Sequence, residues 1–201
     1  MEREDALHQL QQLIGTDLYE LAKRYPQVTV ERNKGWAGHV CEVHLGLVLN
    51  SSPEPNGGSW ELKQVSLKRT AEGFLTAKET MAITMLSPQR VLDQPFETSD
   101  VLKKLRRLIL VARIFLPNSP LAPVALVREA DISVETPLIF NQVREDYELI
   151  REVLREEGFP ALSGKMGKLI QPRTKGAGHG STTRAFYART QLVNILLGLN
   201  K

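Results

Sequence analysis

In Trp60-Glu61-Leu62-Lys63 a carboxylate and an ammonium stand two residues apart. Side chains at i and i+2 of a β-strand share a face, so Glu61 and Lys63 project together while Leu62 turns to the core. Phosphodiester hydrolysis uses such a pair. The carboxylate holds a divalent metal; the Lys orients or deprotonates the attacking water and stabilises the charge that develops on the phosphorane. A further acid upstream usually completes the metal site. Taken alone, Glu-x-Lys reads as a surface salt bridge on an edge strand, and its surroundings must decide between the two readings.

Other chemistries find little support. Cys41 is the single cysteine, which excludes a disulfide scaffold and a cysteine-based zinc cluster. Ser59, Ser66 and Cys41 have no convincing His/Asp partners, so a nucleophilic hydrolase is not indicated. Gly176, Gly178 and Gly180 lack the Gly-Lys-Ser/Thr of a phosphate-binding loop. His39 and His44, five apart, share a helical face poorly and read as packing or surface residues. His179, between two glycines in a basic loop, reads as a neighbour of phosphate rather than a catalytic group.

The elements that must position Glu61 and Lys63 follow from periodicity. Ala6, Leu7, Leu10 and Leu13 have helical spacing over residues 3–13. Thr16 is expected to cap a short helix over Asp17 to Arg24, stopped by Pro26. A third apolar stretch opens at Gly35-Trp36 and carries Val40, Val43, Leu47 and Val48. The turn cluster Asn50-Ser51-Ser52-Pro53 to Gly57-Gly58 then delivers the strand Ser59 to Lys68. A second strand spans Thr80 to Leu86. Ser99 is expected to cap a helix through Lys103 and Lys104. Leu108 to Leu116, apolar except for Arg113, reads as a buried strand. Leu138 to Glu157 is an amphipathic helix ended by Gly158-Phe159-Pro160, and a last apolar helix covers Thr190 to Leu199. Trp36 and Trp60 are expected core anchors. Mixed strands and helices predict an α/β or α+β fold around a mixed central sheet.

The 201 residues carry 26 Lys and Arg against 23 Asp and Glu, a formal charge of +3. Its distribution is uneven. From Gly158 to Lys201 there are seven Lys or Arg and no Asp or Glu, which leaves the first 157 residues at −4. A basic tail on an acidic body suits a polyanionic partner. No run of about 18 apolar residues occurs, and the start Met1-Glu2-Arg3-Glu4-Asp5 is too acidic for a signal peptide, so a cytoplasmic, membrane-free protein is expected.

Three blocks come in order: Lys34-Gly35-Trp36-x-Gly38 with Glu42, then Glu61-Leu62-Lys63, then Glu97-Thr98-Ser99 with Lys104-Leu105-Arg106-Arg107. With Phe186-Tyr187 ahead of a basic residue and an apolar helix as a fourth, the chain from about Gly15 onward resembles the MutH family. These are mismatch-repair nicking endonucleases, grouped with GATC-cleaving restriction enzymes in the PD-(D/E)xK superfamily. The resemblance implies a restriction-endonuclease-like core, two lobes around a DNA-binding cleft, Mg²⁺ with Mn²⁺ as substitute and double-stranded DNA as substrate, in either of two settings: strand nicking with mismatch-repair proteins as partners, or type II restriction. One domain, 1–201, would divide into a metal-site lobe over about 1–105 and a basic DNA-reading lobe over about 106–201. By position, Glu42 matches a helical Glu that supports the metal site. Glu61 matches the second acid of the metal pair, Lys63 the catalytic Lys, and Lys104 a further active-site Lys. Lys103, Lys104, Arg106 and Arg107 could otherwise be a solvated helix end favoured by the dipole. Arg173 matches a recognition segment and Tyr187 a DNA-contacting residue. Lys175 and Arg184, in the same basic tail, are expected to join them.

Two positions depart from that pattern. Alignment on Pro53-Glu54 puts Asn56 where the family has a metal-binding Asp, and a neutral amide offers one oxygen at most. Glu54, seven residues before Glu61, keeps the family's acid-to-acid spacing and is the preferred ligand. Deamidation at Asn56-Gly57 would also restore a carboxylate. Gln171 stands where the family has a base-reading Arg. Because Arg pairs with guanine and Gln with adenine, a changed or relaxed target sequence is expected. The chain is thus expected to be a Mg²⁺-dependent, sequence-specific double-strand DNA endonuclease. The alternative is a nuclease-derived DNA-binding module weakened at Asn56.

Overall fold

The computed structural model of the chain describes residues 1–30, 35–49, 54–175 and 183–199. Its centre is a sheet in the order β2-β1-β4-β5, built from β1 (Glu61–Arg69), β2 (Leu75–Ala77), β4 (Leu108–Ile114) and β5 (Val124–Ala130). β1 and β4 run parallel, with Glu61 opposite Leu108, while the outer pairs are antiparallel. A parallel pair needs a long crossover. Here β2, β3 (Met81–Met85) and two short helices, α4 (Pro88–Asp93) and α5 (Asp100–Leu105), provide it.

The apolar run of β4 is explained by burial on both faces. Leu108, Leu110 and Ala112 join the core under α6 (Pro137–Glu156) and α7 (Thr190–Leu197). Ile109 and Val111 join the core under α1 (Arg3–Gln11), α2 (Leu18–Ala22) and α3 (Trp36–His44). Trp60 is buried in this second core, with its indole N–H donating to the Met1 carbonyl at 3.1 Å. Trp36 is only partly buried and packs edge-on against Tyr19. A second sheet, β3-β7-β6, adds β6 (Ile170–Thr174) and β7 (Arg184–Ala188), antiparallel throughout. Among the described residues no helix is long and apolar enough to cross a membrane.

The fold is α/β with mixed pairing, as the periodicities predict. Three details differ. The cap of α2 is Asp17, not Thr16: its Oδ1 accepts from the N–H of Tyr19 at 2.8 Å and of Glu20 at 3.1 Å. Its other oxygen accepts from Ala122 N–H, so the cap also ties α2 to the segment leading into β5. The third helix stops at His44, because Gly46 takes a left-handed φ of 70° and turns the chain before Leu47 and Val48. Finally, both sheets take strands from each side of residues 105 and 106, so layers do not follow that division of the chain. Ser99 caps α5 as expected, its Oγ accepting from Leu102 N–H at 3.1 Å.

Candidate active site

β2 covers β1 only at Leu67–Arg69. The first half of β1 therefore borders a cleft of about 600 Å³, whose lining includes Glu42, Asn56, Glu61, Lys63, Asp100 and Lys104. Each arrives by a different route. Glu42 rides on α3, Lys104 on α5, and Glu61 and Lys63 open β1. Asn56 comes from the turn before β1. That turn is held by packing: a Cβ on Gly57 would lie 2.1 Å from the Trp60 ring, and Gly57 N–H donates to the Trp60 carbonyl. Only glycine lets the backbone pass so close to the indole.

The Glu61 carboxylate is 2% exposed, and both of its oxygens carry polar partners. Lys63 Nζ sits 2.7 Å from Oε1, and Lys104 Nζ donates to Oε2 at 2.9 Å. The backbone N–H of Asn56 also donates to Oε2, at 2.9 Å. Lys63 and Lys104 are held in turn, since Lys63 donates to the Ile83 carbonyl of β3 at 3.2 Å and Lys104 to the Glu54 carbonyl. The Asn56 amide donates to Glu42 Oε1 at 2.8 Å, while its own Oδ1 is buried without a hydrogen-bond partner. Glu42 is raised above the usual carboxylate range, chiefly by burial and then by the Glu61 charge; Lys63, Lys104 and the Asn56 amide oppose the rise. Two carboxylates and two ammoniums thus lie around one amide, a nearly neutral cluster in a low-dielectric cleft.

Among the described residues no three His, Cys, Asp or Glu side chains converge as metal donors. The oxygens that could hold a cation are those of Glu61, Glu42 and Asn56 Oδ1. An orphaned buried acceptor beside two carboxylates is an all-oxygen donor set, which suits a hard divalent ion such as Mg²⁺. Glu54, the preferred ligand from spacing, stands elsewhere. Its carboxylate is 60% exposed, 3.5 Å from Lys103 Nζ, and does not line the cleft. The reason is local: the chain turns at Asn56, so Asn56 faces inward and Glu54 outward.

The residues expected at DNA are partly assembled. Gln171 and Arg173 share a face of β6, and Tyr187 stands opposite Gln171 on β7. The Arg173 guanidinium lies 5.4 Å from the Tyr187 ring centroid and donates to Thr80 Oγ at 2.7 Å. Lys175 lines the cleft, its pKa lowered by burial and then by the Lys63 charge. Two expectations need correction. Gln171 is 4% exposed, so its amide presents no open edge to a base. Arg184 alternates to the face opposite Tyr187 and stacks over Phe159, 5.5 Å from the centroid. His179 and the glycines around it lie outside the described residues. His44 has a packing role, its Nδ1 bonded to the Tyr25 hydroxyl at 2.9 Å, whereas His39 lines the cleft.

Sequence reasoning missed the Arg90–Asp100 pair in the cleft wall. Arg90 grips buried Asp100 with two bonds, at 2.7 and 2.6 Å, fixing α4 to the first turn of α5. Asp100 is four residues before Lys104 and so on the same helical face; the fork anchors the helix that carries Lys104. An acid at N1 of the Ser99-capped helix was the one available signal.

The family described as DNA mismatch repair enzyme MutH matches residues 45–152, just over half of the chain. The DNA mismatch repair protein MutH of Escherichia coli (strain K12) is 28% identical over 202 aligned positions, covering 94% of this chain and 83% of that protein. The MutH of Escherichia coli O6:K15:H31 is equally similar. The type II restriction enzyme Sau3AI of Staphylococcus aureus is 23% identical over 164 positions, covering 80% of this chain but 33% of that enzyme.

Proposed function

This chain belongs to the MutH family, and we propose that it is a sequence-specific endonuclease hydrolysing phosphodiester bonds in double-stranded DNA with the help of a divalent metal. The observation that carries the reading is the Glu61–Lys63–Lys104 cluster beside Glu42 and Asn56 at the bottom of one cleft.

Glu61, Asn56 Oδ1 and Glu42 would hold the ion, Mg²⁺ in the cell with Mn²⁺ as a substitute in vitro. When bound, such an ion neutralises charge developing on the phosphate and lowers the pKa of a water. The remaining work falls to the protein. Glu61 holds the Lys63 ammonium at the cleft, where it can orient the attacking water and offset negative charge in the transition state. Lys104 keeps Glu61 in place from the buried side. Asn56 fixes Glu61 through its backbone N–H and Glu42 through its amide. Arg173, Lys175 and Tyr187 lie at the second sheet, where a duplex backbone would pass. The resemblance to both a repair protein and a restriction enzyme extends to this chain as two settings for one reaction: strand nicking with mismatch-repair partners, or autonomous restriction.

Incubation of supercoiled plasmid with Mg²⁺ or Mn²⁺ tests the reading. The wild type should nick, and Lys63→Ala should lower the rate by about 10²- to 10⁴-fold while leaving duplex binding intact. Asn56→Ala should weaken the metal requirement's half-saturation more than Glu54→Ala. Duplex binding without cleavage by the wild type would instead identify a nuclease-derived binding module.

A further inference from the structure

Arg113 interrupts the apolar run of β4, and nothing in the proposed chemistry uses it. It lies opposite Ser66 of β1, on the sheet face that also carries Ile109 and Val111. Its guanidinium carbon is 5.3 Å from the Trp36 ring centroid. The side chain is partly buried and lines the same cleft as Glu61 and Lys63. Its Nε is buried with no hydrogen-bond partner. Among the described residues it forms no hydrogen bond, and no carboxylate comes within 4 Å of it.

That is unusual for a cation withdrawn from water, which normally carries its counter-ion with it. Arg3, more deeply buried, also leaves its Nε without a partner but pairs through its terminal nitrogens with Asp131 and two carbonyls; Lys104 pairs with Glu61; Arg189 bonds three carbonyls. Arg184 shares the lone Nε and the ring contact, but it lies outside the cleft. The acid nearest in effect is Glu79, also in the cleft wall, with Asp17 contributing a weaker field. Neither closes an ion pair.

We propose that Arg113 binds a backbone phosphate of the duplex other than the one being cleaved, as the bidentate anion that its guanidinium lacks, with the Trp36 ring holding the guanidinium plane. The inference rests on the double-stranded DNA reading above. Ser66, opposite Arg113, is five residues from Glu61, about 16 Å along the strand, and Arg113 lies on the opposite face of the sheet from Glu61. It therefore addresses a neighbouring phosphate, setting the register of the duplex while Glu61 and Lys63 act on the scissile one.

The test is duplex binding by fluorescence anisotropy in EDTA over a KCl series, for wild type, Arg113→Gln, Arg113→Lys and the remote control Arg155→Gln. Each phosphate contact contributes about 0.9 to the slope of log K against log salt. Arg113→Gln should lower the slope by about that amount, whereas Arg113→Lys and Arg155→Gln keep the wild-type slope. An Arg113→Gln protein that melts like wild type and keeps the full slope would overturn the inference and leave Arg113 as packing for Trp36. A wild type with no duplex affinity would overturn the DNA reading itself, and this inference with it.

Discussion

Replacement of Asp146 by Asn removes a single charge from a site 3% exposed, and its cost can be worked from the bonds present. Asp146 lies in the middle of α6 and reaches the segment that leads into β6. One carboxylate oxygen accepts from Leu169 N–H at 2.6 Å and Ile170 N–H at 2.9 Å; the other accepts from Lys168 N–H at 2.9 Å and Gln142 Nε at 3.1 Å. From the other side, Arg189 binds the carbonyls of Gly164, Met166 and Gly167. Gly167 fits because its φ is 71° and a Cβ there would lie 2.0 Å from the Ile170 carbonyl. An Asn at 146 can keep its oxygen towards Leu169 and Ile170, but its amide then faces the Lys168 N–H. The two retained bonds weaken by about 1 kcal/mol each on losing the charge, and the unpaired N–H costs about 1–2 kcal/mol. The expected loss is about 3 kcal/mol. For a chain of this length it lowers Tm by about 6–12 °C, measured by calorimetry or by urea unfolding. Asp146→Ala, which leaves all three N–H groups unpaired, should cost more. A shift below 2 °C for Asp146→Asn would refute the assignment of these bonds as a clamp on the entry to β6.

Gly57→Ala should displace the turn that carries Asn56, because its methyl meets the Trp60 ring; nicking should fall by at least about tenfold while duplex binding persists, and unchanged nicking would show that the turn yields without moving Asn56. Tyr147, buried and donating to the Gln94 carbonyl at 2.9 Å, has its pKa raised, first by burial and then by the Glu148 charge. An unfolded tyrosine ionises near 10, so above that pH the unfolded state binds fewer protons than the folded one and stability falls as pH rises. Melting from pH 9 to 11 should show this fall, and Tyr147→Phe should flatten it, at about 1 kcal/mol of lost hydrogen bonding.

Glu61 and Lys63 were legible because their spacing of two is a strand period. Glu42, Asn56 and Lys104 were not legible from spacing: they sit on α3, a turn and α5, and only ordered blocks along the chain connect them. The preference for Glu54 rested on a count of seven residues, which does not say which way a turn faces; the Glu54 side chain points out of the cleft. β6 escaped periodicity because Pro172 weakens a strand signal. It is tolerated there because β6 is the edge of its sheet. Arg90–Asp100 and the Asp146 clamp join positions far apart in sequence, and pairing of that kind leaves no periodic trace. Arg113 read as a blemish in a buried strand. Only its place in the cleft gives it a role.

The bond from Lys63 to the Ile83 carbonyl has a consequence for how the enzyme is made. Ile83 belongs to β3, whose sheet partner is β7. From the end of β3 at Met85 to the start of β7 at Arg184 is about 100 residues, on the order of 5–20 s of ribosomal synthesis. Until β7 emerges, β3 lacks its partner strand and Lys63 lacks a fixed carbonyl. A nascent chain that already contains Glu42, Asn56, Glu61, Lys63 and Lys104 therefore still lacks the strand pairing that fixes the carbonyl to which Lys63 donates.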